Sequence, residues 1–336
     1  MPPLLKAILL LSGMIIGVGM FAIPFSFVAA GFWVGVAQLA LLSCVVTTLH
    51  LLYGEIVLAT PQLHRMPGYV HTYLGPRATA VSWASTLFGI TGTLLAYLIA
   101  GSLFLQKIFG SAFASTNPLF WVVMLVLGGS LITFFPLKKE AAINGVLTFF
   151  EIGFMVLLVA VLFPKISVLN FLGIHRENFF LPYGVLLFAL SGGSVIPDLV
   201  TILGRDTKRV RTAIVIGSFI PVVLYFFFGL AVVGVSGSAT STEAIAGLER
   251  VIGGNIGLWA SAAGLLAILT SFLALSASFQ ALLFLDMRLP RILAWVGASA
   301  IPLVLYLAGF QNFIAIIGAV GVVAFGVDGV LFLLMG

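Results

Sequence analysis

Apolar residues run through this chain in long blocks, without the alternation of a strand or the narrow stripe of a surface helix. Between Lys6 and Glu55 there is no Asp, Glu, Lys or Arg, so 48 consecutive residues are uncharged. At roughly 1.5 Å per helical residue this is about two crossings of a bilayer's hydrocarbon core. Polar breaks and Pro/Gly punctuation divide the chain into ten apolar segments, at about 7–30, 32–60, 80–106, 118–136, 141–163, 180–204, 210–236, 254–286, 291–309 and 311–335. The pattern predicts an all-α polytopic membrane protein with ten transmembrane helices. Two connections are amphipathic, PQLHRMPGYVHTYLGPR and KISVLNFLGIHRENFF, and read as interfacial pieces with Tyr69, Tyr73, Phe179 and Phe180 at headgroup level. The longest connection, 61–79, leaves no room for a soluble catalytic domain.

Composition agrees: 62% of the 336 residues are hydrophobic and only 7% charged, against about 25% charged in a soluble domain. The basic residues set the orientation. With a cytoplasmic N-terminus, Lys6, Arg65, Arg77, Lys138, Lys139, Arg205, Lys208, Arg209, Arg211, Arg288 and Arg291 fall inside, and only Lys107, Lys165, Arg176 and Arg250 fall outside. The positive-inside bias places both termini on the cytoplasmic face of the plasma or inner membrane. The net charge of +5 is spread among short loops, so it is no footprint for nucleic acid. MPPLLK runs straight into a full-length apolar span with no cleavage site, and the first span is expected to be retained. Cys44 has no second cysteine to pair with in the chain.

Segments one and six are interrupted alike. The first contains GVGMFAIP at 17–24 and the sixth LSGGSVIPDLV at 190–200, each with close glycines and then Ile-Pro. Pro24 and Pro197 stand 173 residues apart, about half the chain, and segment six crosses in the opposite direction from segment one. That is the topology of an inverted repeat, a first half at 1–163 and a second at 164–336 within one membrane domain. Glycine permits an unwound backbone, and proline suits the first turn of a restarted helix, so both segments are expected to be discontinuous. The exposed amides and carbonyls must then line a polar cavity, because in hydrocarbon each would cost several kcal/mol. Half-helix N-termini suit a carboxylate, and free carbonyls suit an ammonium. A zwitterion fits both.

GVGMFA also matches the loose dinucleotide fingerprint G-x-G-x-x-A, but no βαβ unit surrounds it and no acidic residue follows about twenty positions on. The histidines at 50, 64, 71 and 175 form no H-E-x-x-H and there is no G-x-S-x-G, so an enzyme is disfavoured. An ion channel or ion-only transporter would want a continuous polar pore or a ring of charges, which two inverted single breaks do not suggest.

Through SGMIIGVGMFAIP in segment one, YGEIVLATP at the end of segment two and FALSGGSVIPDLV in segment six, the chain resembles the amino acid transporters of the amino acid/auxin permease type. These belong to the amino acid-polyamine-organocation superfamily with the leucine-transporter (LeuT) fold. The resemblance covers the five-plus-five core, the chain ending after ten segments where most members have one or two more. It implies secondary active transport of an amino acid by alternating access, with segments one and six holding the substrate. The substrate site is expected at Ile15, Gly17, Val18, Gly19, Ala189, Leu190, Ser191, Gly192 and Gly193. The carboxylate would lie on the amides of Val18 and Gly19, and the ammonium on the carbonyls near Ile15 and Ala189. By the same resemblance, Tyr97 in segment three closes the site. With no charged side chain in either break, a neutral, apolar amino acid is favoured.

No cofactor is expected beyond a coupling ion. In sodium-coupled members of this fold, a segment-eight Ala-x-x-Thr-Ser and carbonyls of the first helix hold Na⁺, which implies Gly13, Ile16, Ala267, Thr270 and Ser271 here. The competing ion is a proton. Asn144, Thr148 and Glu151 share one face of segment five, and an intramembrane carboxylate is costly enough that Glu151 is a candidate to load and release a proton. Asp198 is expected to complement the dipole at the restarted half-helix. His50, Glu55 and Asp328 lie toward the inner ends of their segments and are assigned no site.

Overall fold

The computed structural model describes residues 2–113, 117–134 and 140–336; for 140–147, 270, 285 and 286 it describes the backbone alone. Lys138 and Lys139 lie outside the described residues. All regular elements here are helical. Segment one is α1 (Pro3–Ile15) and α2 (Gly19–Ala30), which meet at 53° across a three-residue gap. Then follow α3 (Phe32–Ala59), α4 (Met66–Phe113), α5 (Pro118–Phe134) and α6 (Glu140–Leu162). Segment six is α7 (Leu181–Leu190) and α8 (Ile196–Ile202), joined through a 3₁₀ turn at Gly193–Val195. The second half continues with α9 (Thr207–Ser236), a short α10 (Ile245–Ile252), α11 (Ile256–Ala281) and α12 (Arg291–Leu307). The chain ends in α13 (Phe313–Val320) and α14 (Gly326–Met335), which a π turn at Gly321–Phe325 joins into one span.

Each apolar segment has a helical counterpart. Among the described residues seven helices are long and apolar enough to cross a membrane, or eight if the bent pair α1–α2 is one span. The apolar helices α5 and α12 are 17 residues each. Large apolar side chains such as Trp33, Leu41, Leu131, Phe149, Phe219, Trp259 and Ile292 are exposed. In a protein with so few charges these surfaces face hydrocarbon, where they carry no penalty.

The helix ends are satisfied locally. Asp206 accepts from the Arg209 amide at 3.1 Å to start α9, and Asn312 accepts from the Ala315 amide at 3.0 Å to start α13. At the far end of α3 the Arg205 guanidinium donates to the carbonyls of Val57, Leu58 and Thr60 at 3.0, 2.6 and 2.7 Å, placing a cation where the helix dipole is negative. Between α2 and α3, Gly31 has φ 105 and lies so close to the Gly173 carbonyl that a Cβ would sit 2.6 Å from it.

Two sequence expectations change. Segment three is longer than its apolar stretch, and Gly75, with φ 78, divides α4 into 66–74 and 76–113. The first piece is not a simple surface anchor: Tyr69 is fully buried, edge-on to Tyr53 at 5.7 Å, and its hydroxyl accepts from the His64 amide at 3.2 Å. That burial pushes the Tyr69 phenol's pKa above its ordinary value. Tyr73, Phe179 and Phe180 stay exposed. Asp198, in the first turn of α8, pairs with Arg65 at 2.9 Å, which ties the loop after α3 to α8.

In the bundle, α2 packs on α7 and α1 on α8, so the two interrupted segments run antiparallel side by side, with α3, α4, α6, α9 and α11 around them. Without a hydrophobic drive between helices in lipid, close contact depends on small residues. At the α7–α13 crossing a Cβ on Gly184 would lie 2.7 Å from the Gly318 carbonyl, and one on Gly321 would land on the Gly184 carbonyl. Gly321→Val is therefore expected to destabilise the protein by about 1–3 kcal/mol, seen as a lower melting temperature in detergent. Gly326→Ala, with nothing within 4 Å of the added carbon, should melt like the parent.

Candidate functional site

The two interruptions touch each other. A Cβ on Gly192 would lie 2.5 Å from Ile15 Cγ1, and one on Gly19 would lie 2.8 Å from Phe188 Cδ1 and 2.9 Å from Ala189 Cα. Residues 15–19 of the first gap and 189–193 of the second thus form one crossing. Ile15, Ile16, Gly17, Val18 and Gly19 are buried, as are Ala189, Leu190 and Gly192, while Ser191 and Gly193 are half-buried. Ile16 N still bonds to Ser12 O at 2.8 Å, and Met20 N and Phe21 N reach back to Gly17 O and Val18 O at 3.2 Å. Among the described residues the amides of Val18 and Gly19 have no backbone acceptor. Both amides stand at the start of α2, where the helix dipole is positive.

Other side chains close on this crossing. The Tyr97 hydroxyl would lie 3.2 Å from a Cβ on Gly17, and it is hydrogen-bonded to the Ser271 side chain, so α4 and α11 meet above the first gap. From α9 the Tyr225 hydroxyl lies 2.6 Å from Ile15 O and 3.1 Å from Ala189 O, the carbonyls near the ends of α1 and α7. From α3 the buried His50 accepts from the Gly192 amide through Nε2 at 3.4 Å, and its Nδ1 meets the Ser218 hydroxyl at 3.3 Å. These two bonds fix the Nδ1–H tautomer of a neutral ring.

The candidate coupling-ion residues gather one turn away. A Cβ on Gly13 would land on the Thr148 hydroxyl, so α6 presses directly on α1 there. Thr148, Glu151 and Ala267 are buried, and the Glu151 carboxyl is near enough to act electrostatically on both Tyr97 and Tyr225. The side chains of Thr270 and Asn144 lie outside the described residues. Two further acids are engaged elsewhere: Glu55 with Arg211 at 2.7 Å, and Asp328 as acceptor from the Ser85 hydroxyl at 2.9 Å.

The ends of the crossing differ in chemistry. On the α2 side Phe21 stands edge-on to Phe104 at 5.1 Å and to Phe228 at 6.2 Å, all buried, with Gly264 making room for the first two rings. On the α1 side Met14 and Ser194 are exposed, and the nearest closure is the solvent-exposed Arg65–Asp198 pair. An open apolar pocket of about 480 Å³ lies farther out at the α2 end, lined in part by Phe25, Leu181, Asn312 and Val322 and by none of the crossing residues.

Sequence reasoning missed Tyr225, His50 and the phenylalanine cluster. Tyr225 sits in the run VVLYFFFG, where an aromatic in a membrane helix carries no distinguishing mark, and only its place opposite both gaps reveals it.

A model of the tryptophan/tyrosine permease family matches residues 1–335. The chain belongs to this family. It is a multi-pass membrane transporter of amino acids and not an enzyme, and its substrate is a small molecule. Glutamine transporter 2 of Aliivibrio fischeri is 24% identical over 324 residues, covering 94% of this chain and 84% of the relative. The tyrosine-specific transport system 2 of Haemophilus influenzae is 25% identical over 343 residues, covering 93% and 82%. Among solved structures, MhsT in complex with L-phenylalanine matches with a TM-score of 0.70 at 15% identity, covering 98% of the permease and 87% of MhsT. Mhp1, a nucleobase-cation-symport-1 family transporter, matches at 0.68 and 15%, covering 98% and 77%. These likenesses establish the fold, which is the one the resemblance implied.

The Tyr97–Ser271 bond joins a buried hydroxyl to a half-buried one, so removing one leaves the other without this partner. Tyr97→Phe and Ser271→Ala are each expected to lower stability by about 1 kcal/mol. The double variant should melt no lower than the worse single one; additive losses would show that the hydroxyls do not act as a pair.

Proposed function

We infer that the permease is a secondary active transporter of a neutral amino acid, working by alternating access as ten membrane crossings in a five-plus-five inverted repeat. Its halves are 1–163 and 164–336, and α1–α2 and α7–α8 are the discontinuous spans. The observation that carries this reading is the crossing of the two gaps, with free amides at Val18 and Gly19 facing carbonyls at Ile15 and Ala189. A substrate carboxylate lies on the amides of Val18 and Gly19 beneath the Tyr97 hydroxyl. The ammonium lies on the carbonyls of Ile15 and Ala189 to Ser191, with Gly17, Gly192 and Gly193 providing room. The nearest exposed ion pair, Arg65–Asp198, is internally matched, so neither break offers a partner to a charged substrate side chain. Relatives named as transporters of glutamine, tyrosine and tryptophan are in keeping with a neutral substrate. Eleven basic residues against four place both termini in the cytoplasm and the protein in the plasma or inner membrane.

The coupling ion is a proton carried by Glu151, a buried carboxyl on α6, which packs against both α1 and α11. A second reading, a sodium ion among Gly13, Ile16, Ala267, Thr270 and Ser271, is supported by Ser271 standing beside the first gap through Tyr97. Purified protein in liposomes should accumulate one of glutamine, tyrosine or tryptophan under an inward H⁺ gradient. Glu151→Gln should lower that uptake at least about tenfold, the loss expected for a missing proton-transfer group, and Thr270→Ala should leave it intact. The reverse pattern, driven by Na⁺, would establish the sodium reading. Gly17→Val, which fills the space beneath Tyr97, should abolish uptake with either ion; normal uptake by that variant would remove the substrate from the crossing.

A further inference from the structure

The carbonyls that receive the substrate's ammonium in this reading are already occupied. Tyr225 is fully buried, and its hydroxyl stands between Ile15 O at 2.6 Å and Ala189 O at 3.1 Å, bridging the C-terminal ends of α1 and α7. Both helix ends carry partial negative charge, and both point at one spot. A phenol has a single O–H, so it satisfies one of the two carbonyls at a time. In a dry membrane interior the second remains a costly acceptor.

An α-ammonium brings three N–H donors and a full positive charge. It satisfies both carbonyls at once and still has a donor for the phenol oxygen, which then accepts where it had donated. We propose that Tyr225 is a built-in occupant of the amine subsite, holding the two half-helix ends together when the site is empty and yielding its place to the ammonium of an incoming amino acid. The hydroxyl is thus a positioning group for the empty transporter and a competitor for the amine. This rests on the substrate reading above, because only a substrate seated at the crossing meets Tyr225.

The consequence is specific. A substrate analogue without its amine leaves the hydroxyl where it stands, so the parent protein discriminates against it only by the net gain of exchanging phenol for ammonium. In Tyr225→Phe the ring still fills its place but the donor is gone. An amine then binds without displacing anything, and a des-amino analogue leaves both carbonyls orphaned.

The test measures uptake KM for the amino acid that the permease accumulates, and the inhibition constant of its des-amino counterpart, in the parent and in Tyr225→Phe. The pairs are L-tryptophan with indole-3-propionate, L-tyrosine with 3-(4-hydroxyphenyl)propionate and L-glutamine with glutaramate. KM should fall, and the preference for amine over des-amino compound should rise about fivefold, the size of one neutral hydrogen bond. A raised KM with a lowered preference would make Tyr225 an ordinary ligand of the ammonium and overturn the proposal. An unchanged preference would overturn it too, leaving the tyrosine a purely structural bridge. Should Tyr225→Phe fail to accumulate in the membrane, Tyr225→Met, apolar and without a donor, enters the same comparison. Failure of the substrate reading itself is visible separately, as normal uptake by Gly17→Val.

Discussion

A backbone amide or carbonyl inside a bilayer has no water to turn to, and this constraint governs the architecture at the centre of the permease. Two helical segments are interrupted part-way along, each releasing polar groups that a continuous helix would have consumed. The protein meets the demand by laying one interruption across the other, so that both sets share a single small volume. Tyr225, His50 and Tyr97 then approach that volume from three different helices. The glycines at 19 and 192 are what allow the interruptions to come this close, since a single added carbon at either would overlap the opposite segment. The crossing's polarity and its tightness have one origin.

Much of this was legible in the order of residues. Helical spans follow directly from uncharged blocks of bilayer length, and among the described residues seven or eight helices are long and apolar enough to cross, because in lipid no other open structure satisfies the backbone. The paired glycine-and-proline motifs fall where α1 gives way to α2 and α7 to α8, and the residues that permit unwinding are few. What stayed hidden depends on contact between distant parts of the chain. Tyr225 is one tyrosine in an aromatic run, and nothing in the spacing says that its hydroxyl ends between residues 15 and 189. His50 lies toward the inner end of segment two with nothing in the sequence to assign it a site, and its bond to Gly192 spans 142 positions. Tyr69 was misread for a related reason: an amphipathic stretch predicts a surface, but the kink at Gly75 lets that stretch fold back against Tyr53.

The cation region shows the same limit from another side. The pattern in segment eight and the carboxylate in segment five were each readable alone, as two rival ways of coupling an ion. In the fold their helices are neighbours, with α6 packed on both α1 and α11 and Thr148 pressed against Gly13. Sequence presented alternatives where the structure presents one locality, reached by α1, α6 and α11 together.

The unequal ends of the crossing have an environmental consequence. The phenylalanine cluster on the α2 side is dry, and its cohesion scarcely changes with the ionic medium. The Arg65–Asp198 bridge on the other side is solvent-exposed, so its attraction is at most about 1 kcal/mol and is attenuated within a Debye length of roughly 8 Å at physiological salt. One end of the crossing is therefore held together by exclusion of water and the other by charge, and only the second is responsive to the electrolyte that bathes it.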